Sequence, residues 1–147
     1  MDKREVFDGF RIVRDSESLK YGIISPEDEL VVPFEMDEIT EFDWNPLGEA
    51  ETISVYDECG YLLCKKGIKE GLFIPYLNKY IEPQFQRITV LFLYEDEETC
   101  KRYYRVDYKC SDGTYGYFTD EAEMRPCKAE ESAFTINPKV KAMMWEM

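Results

Sequence analysis

Tyr21-Gly22-Ile23-Ile24-Ser25, followed by Val31-Val32-Pro33-Phe34-Glu35-Met36-Asp37-Glu38-Ile39, decides the fold, because both segments return later in the chain. Their counterparts are Glu70-Gly71-Leu72-Phe73-Ile74 and Tyr80-Ile81-Glu82-Pro83-Gln84-Phe85-Gln86-Arg87-Ile88. Gly22 and Gly71, Met36 and Phe85, and Ile39 and Ile88 are each separated by 49 positions. A third copy opens at Tyr115-Gly116-Tyr117-Phe118-Thr119-Asp120 and fades into Met124-Arg125-Pro126. Arg11 stands 11 residues before Gly22, and Arg105 stands 11 before Gly116. A recurring period of this length marks one supersecondary unit used several times. Each unit reads as strand, turn, Gly-containing strand, turn, and a proline segment closed by isoleucine. The Gly admits a close backbone approach or a twist that a side chain would block. The Pro suits an edge or turn where no amide donor is required.

Around these segments the pattern is that of strands. Phe10–Arg14, Ile53–Tyr56, Ile88–Tyr94 and Tyr103–Tyr108 are rich in β-branched and aromatic residues. Turn chemistry separates them at Asp15–Ser18, Ser25–Asp28, Asn45–Gly48 and Ser111–Gly113, and Glu95–Thr99 reads as a polar loop. Asp112-Gly113 between two aromatic runs is the clearest hairpin signal. A short turn is expected at Asp120–Met124. One helix is expected at the C-terminus, where Asn137 can cap and Pro138 fits the first position of a segment running to Trp145. The expected fold is mainly β, with antiparallel hairpin or meander repeats in about three degenerate units and a short C-terminal helix. A single domain over residues 1–147 is expected, with units near 10–42, 53–90 and 103–126 and a C-terminal segment 127–147.

The repeated unit resembles the WG-repeat family, also called KWG repeats. The matching residues are Tyr21-Gly22-Ile23-Ile24 with Val32-Pro33 and Met36-Asp37-Glu38-Ile39. In the second copy they are Gly71-Leu72-Phe73 with Ile81, Pro83, Phe85 and Ile88, and the third offers Tyr115 to Asp120. The family's tryptophan is replaced by Tyr21, Glu70 and Tyr115, and its tyrosine by Met36 and Phe85. The resemblance covers roughly residues 10–126. It implies repeated β-hairpin modules that serve interaction, and carries no catalytic role.

With 44% apolar and 15% aromatic residues, a chain of 147 residues can bury a core. It contains no apolar run of about 18 residues, and Met1-Asp2-Lys3-Arg4-Glu5 leads into no signal-peptide core, so a cytoplasmic protein without membrane association is expected. The five cysteines, Cys59, Cys64, Cys100, Cys110 and Cys127, include no C-x-x-C pair and read as free thiols. Cys64, before Lys65-Lys66, and Cys100, before Lys101-Arg102, are the candidates for a reactive thiolate. Histidine is absent, which removes Ser-His and Cys-His nucleophile arrangements. The paired carboxylates show neither the facing geometry of a glycosidase pair nor the spacing of a calcium loop. No catalytic residue, metal or cofactor is expected.

The net charge of −13 is uneven. Residues 1–60 hold 17 acids against 5 bases, a net of −12, while residues 61–147 are close to neutral. No base lies between Lys20 and Lys65, an interval with 12 acids. Such a surface repels nucleic acid and steers towards cationic partners. The alternative is a solvated face that only keeps the chain soluble. Phe42 and Trp44 among these acids have the composition of an interface anchor with a charged rim, or of residues capping the core. The expected partner-binding residues are Glu27, Asp28, Glu29, Asp37, Glu38, Glu41, Asp43, Trp44, Glu49 and Glu51.

The expected function is a non-catalytic inhibitor or adaptor engaging a basic protein surface, such as that of a nucleic-acid-handling enzyme. Phage anti-defence and bacterial toxin-immunity proteins work in this way, as nucleic-acid mimics. The alternative is an oligomeric structural module assembled through sheet edges and the C-terminal segment, where Trp145 sits with Met143, Met144 and Met147. An enzyme using carboxylates or a cysteine stands third.

Overall fold

The computed structural model describes residues 3–5, 9–44, 53–54 and 60–134. They form fourteen strands: β1 (Lys3–Glu5), β2 (Arg11–Arg14), β3 (Tyr21–Ile24), β4 (Leu30–Met36), β5 (Glu38–Glu41), β6 (Asp43–Trp44), β7 (Ile53–Ser54), β8 (Leu62–Lys66), β9 (Lys69–Ile74), β10 (Lys79–Phe85), β11 (Arg87–Glu95), β12 (Arg102–Lys109), β13 (Tyr115–Phe118) and β14 (Met124–Cys127). Three four-stranded sheets run β1-β2-β3-β4, β5-β8-β9-β10 and β11-β12-β13-β14, and β6 pairs with β7. The fold is therefore mainly β, in antiparallel meanders. The expected helix at 137–145 lies outside the described residues.

The chain divides into two compact units. The first comprises Met1–Glu41 with Gly60–Gln84, and the second Phe42–Cys59 with Phe85–Met147. The first has Ile23, Val32, Met36, Leu62 and Leu72 fully buried, with the Phe10 and Phe73 rings edge to face at 5.1 Å. The second is centred on Phe85, whose ring lies 4.8 Å from Tyr108 and 5.7 Å from Phe118.

The repeat has a mechanical cause. A Cβ on Gly22 would sit 2.6 Å from the Val32 carbonyl oxygen; on Gly71 it would strike the Ile81–Pro83 backbone, and on Gly116 the Arg125 carbonyl. The third strand of each sheet thus needs glycine where the fourth strand presses against it, and at Gly116 the Tyr108 hydroxyl on β12 lies closer still to such a Cβ. Gly116 pairs directly with Pro126. Pro33, Pro83 and Pro126 all lie on fourth strands at sheet edges, where a missing amide costs no ladder bond.

The joint between copies is a single residue. Met36 ends β4, Asp37 turns, and β5 begins in the next sheet; Phe85, Gln86 and β11 repeat the step. The Asp37 amide donates to the Lys65 carbonyl at 2.8 Å, and the Gln86 amide to that of Lys109 at 2.8 Å. Ile39 and Ile88 therefore open the following sheet.

Two expectations change. The strand before Gly71 is β8, whereas Ile53–Ser54 pairs with Asp43–Trp44. Leu62-Leu63-Cys64 is buried on successive positions, which hides its alternation, and Gly67-Ile68 turns the hairpin in two residues. Gly67 has φ +59 while Ile68 keeps a negative φ, the type II′ pattern. Arg11 and Arg105 are also not equivalent: Gly22 faces Val13 and Gly116 faces Tyr108, so the two arginines stand two and three residues before those partners. The Asp112-Gly113 hairpin forms as expected, with Gly113 at φ +89.

Candidate functional site

The expected acidic residues fall into separate places. Glu27, Asp28 and Glu29 occupy the exposed turn between β3 and β4. Ser25 organises this turn: its hydroxyl accepts the amides of Glu27 and Glu29 at 3.2 and 3.1 Å, and Asp28 takes the left-handed conformation at φ +64. Arg11 pairs with Asp28, and Glu27 and Glu29 make no ion pair among the described residues. Asp37 and Glu38 lie beyond the far end of β4, a strand of 7 residues that spans roughly 20 Å at about 3.3 Å per residue. The acids thus do not form one cluster.

Asp37 is committed within its own unit. Its carboxylate pairs with Lys20 and accepts the Gly67 amide at 2.6 Å. The Lys20 contact, then the Gly67 bond, hold its pKa below the usual aspartate value. Beside it the Lys66 ammonium contacts Glu35 at 2.6 Å, which raises the lysine pKa. Glu38 is exposed on β5 opposite Lys65, and Glu41, half-buried, stands opposite Leu62. The base-free interval of the sequence is therefore partly compensated in space by Arg11, Lys20 and Lys66.

Asp43 and Trp44 form the short β6, with Trp44 opposite Ile53. Phe42 is buried and belongs to the core, so it is no exposed anchor. Glu49 and Glu51 lie outside the described residues.

The position before each glycine faces a base across the ladder. Arg14 pairs with Tyr21 in register and its guanidinium lies 5.9 Å from the ring; Lys109 pairs with Tyr115 at 5.8 Å. In the second copy Glu70 stands in place of the aromatic, and its register partner is Lys65. A cation therefore stands opposite in all three units, whether the partner is a ring or a carboxylate.

Sequence reasoning missed a buried ion pair on β12. Arg105 donates from Nε and Nη2 to the two Asp107 carboxylate oxygens at 2.7 Å each, and its guanidinium stacks 4.7 Å from the Tyr117 ring. Asp107 also accepts the Ala133 amide at 2.8 Å, while Arg105 donates to the Glu131 carbonyl. The only sequence signal is the i, i+2 spacing, which puts both side chains on one face of a strand. Two further features of the second unit escaped it: the exposed side chain of Leu93 and the stacked rings of Tyr94 and Tyr103.

Burial pushes the Cys64 thiol up to about 12, so it is protonated at neutral pH. Cys100 is exposed, Cys110 and Cys127 are half-buried, and none of the four is disulfide-bonded. Among the described residues no group of three or more His, Cys, Asp or Glu could hold a metal ion, and no helix is long and apolar enough to cross a membrane. Comparison with protein families, with curated proteins and with solved structures finds no match for this chain.

Proposed function

We propose that this chain is a non-catalytic, acidic, β-rich module that binds a basic surface of a partner protein. It would act as an inhibitor or adaptor. The observation that carries this reading is the β3–β4 turn, where three exposed carboxylates share one paired base, Arg11. Its Ser25-centred hydrogen bonds fix the backbone, so the carboxylates are presented without the entropy cost of ordering a loose loop. Asp37 supports the scaffold, which narrows the binding set to Glu27, Asp28, Glu29, Glu38 and Glu41, with Asp43, Trp44, Glu49 and Glu51 as further members.

In this reading the three sheets are degenerate WG-repeat units that carry functional turns. A cytoplasmic nucleic-acid-handling enzyme has the cationic groove that such turns would occupy. Nucleic acid itself is repelled by a chain of net charge −13. Assembly through sheet edges draws less support, because the prolines on β4, β10 and β14 blunt those edges.

The test is capture of host proteins on the immobilised chain and on a Glu27→Gln/Asp28→Asn/Glu29→Gln variant. A basic partner should be retained at about 0.1 M salt and released near 1 M, where the screening length falls to about 3 Å. The variant should lose it at both concentrations. Salt-independent retention, or equal retention by the variant, would count against the reading.

A further inference from the structure

The third sheet is longer on one side than on the other. β13 covers β12 only from Val106 to Lys109, so the rungs Leu91–Arg105 to Glu95–Arg102 project as a two-stranded ribbon. A bulge interrupts it at Leu93, between the pairs Phe92–Tyr104 and Tyr94–Tyr103. Cross-strand partners share a face, so the extra residue moves Tyr94 onto the face of Leu91, Arg105 and Tyr103. The Tyr94 and Tyr103 rings then stack at 4.7 Å and 21°. Tyr103 is half-buried, while Tyr94 is 55% exposed and the bulged Leu93 beside it 47%.

Two observations give the ribbon a chemical preference. The Lys101 ammonium lies 5.2 Å from the centroid of Tyr103, so the stack already accepts a cation from its own chain. The adjoining turn presents Glu95, Glu97 and Glu98 to solvent, and its backbone is tied by the Asp96 carboxylate, which accepts the Glu98 amide at 2.9 Å. From Leu93 to Tyr103 there are four acids and two bases. An arginine guanidinium matches this surface better than a lysine ammonium. Its plane stacks on an aromatic ring while its edge forms two parallel bonds to a carboxylate.

We propose that this ribbon is a docking surface for an arginine-bearing protein segment, with Tyr94 as the stacking face and Glu97 and Glu98 as the carboxylate rim. It shares with the proposed function only the cationic nature of the partner, and does not require the Glu27–Glu29 turn. The test is titration of the full chain with an arginine-rich and a lysine-rich peptide of equal length and charge, followed residue by residue by NMR.

The arginine peptide should shift the resonances of Leu93, Tyr94 and Tyr103 and bind more tightly than the lysine peptide, by on the order of fivefold. Tyr94→Leu should remove that preference, and Tyr94→Phe should keep it, with the circular dichroism spectrum unchanged in both. Glu97→Gln/Glu98→Gln should weaken the arginine peptide without touching the fold. Equal affinity for the two peptides, or an unchanged preference in Tyr94→Leu, would overturn the proposal. Shifts confined to Glu27–Glu29 would overturn it too, while leaving the acidic turn as the binding site.

Discussion

Asp107 is fully buried, and each of its carboxylate oxygens accepts a hydrogen bond from Arg105, only two residues earlier on the same strand. The pair also holds the chain that follows β14, through the Ala133 amide and the Glu131 carbonyl. Removing the acid would strand three donors. Breaking a buried ion pair costs about 3–5 kcal/mol, and the partial exposure of Arg105 lowers this to roughly 2–4 kcal/mol for Asp107→Ala. Asp107→Asn keeps an acceptor for Ala133 and should lose less. Urea unfolding should show a lower midpoint with an unchanged slope. A midpoint equal to that of the unmodified chain would mean that the pair holds nothing.

The three unit glycines offer a contrast with a fourth. Gly71 meets the Ile81–Pro83 backbone, whereas a Cβ on Gly67 would meet nothing within 4 Å. Gly71→Ala should therefore destabilise by about 2–3 kcal/mol through overpacking against backbone that cannot step aside. Gly67→Ala should cost about 1–2 kcal/mol, from its φ of +59 alone. Gly67→Asn should recover part of that loss, and Gly71→Asn none. Thermal or urea denaturation of the four variants checks the order.

This contrast also explains what could be read from the sequence. The period was visible because a glycine pressed by a neighbouring carbonyl and a proline on the edge beside it tolerate few substitutes. β8 was not, since Leu62-Leu63-Cys64 buries successive residues and shows no alternation. Turn equivalence was hidden as well. Asp15–Lys20 and Asp96–Lys101 fold alike, with Asp15 and Asp96 each joined to the closing lysine at 2.8 Å and Leu19 and Cys100 left-handed. They nevertheless occupy different steps of their meanders. Charge compensation was the least legible, because Arg11, Lys20 and Lys66 reach their acids from positions 17 to 31 residues away along the chain.

Asp37 sets a pH dependence whose sign follows from its environment. Its folded pKa lies below 3.8 because the Lys20 ammonium and the Gly67 amide favour the carboxylate. A depressed folded pKa contributes stability that is present above the unfolded value and is lost as pH falls through the folded one. The gap in urea midpoint between the unmodified chain and Asp37→Asn should hold steady down to about pH 4 and close below it. Lys20→Met should shrink the gap at neutral pH, since it removes the leading cause of the shift. A gap that widened on acidification would contradict the assignment.

Cysteine reactivity separates burial from sequence context. Cys64 precedes two lysines, a setting that favours thiolate, but burial holds its thiol near 12. At pH 8 the thiolate fraction of such a group is on the order of one in ten thousand. Cys100 is exposed in the turn between β11 and β12, with the left-handed φ of +59 pointing it away from regular pairing. Alkylation followed by peptide mass mapping should therefore modify Cys100 first and Cys64 only when the first unit opens. Adding urea below the unfolding midpoint should accelerate Cys64 far more than Cys100. The Asp107→Ala variant offers a control, since its altered contacts lie in the second unit: faster modification of Cys64 there would show that the two compact units unfold together.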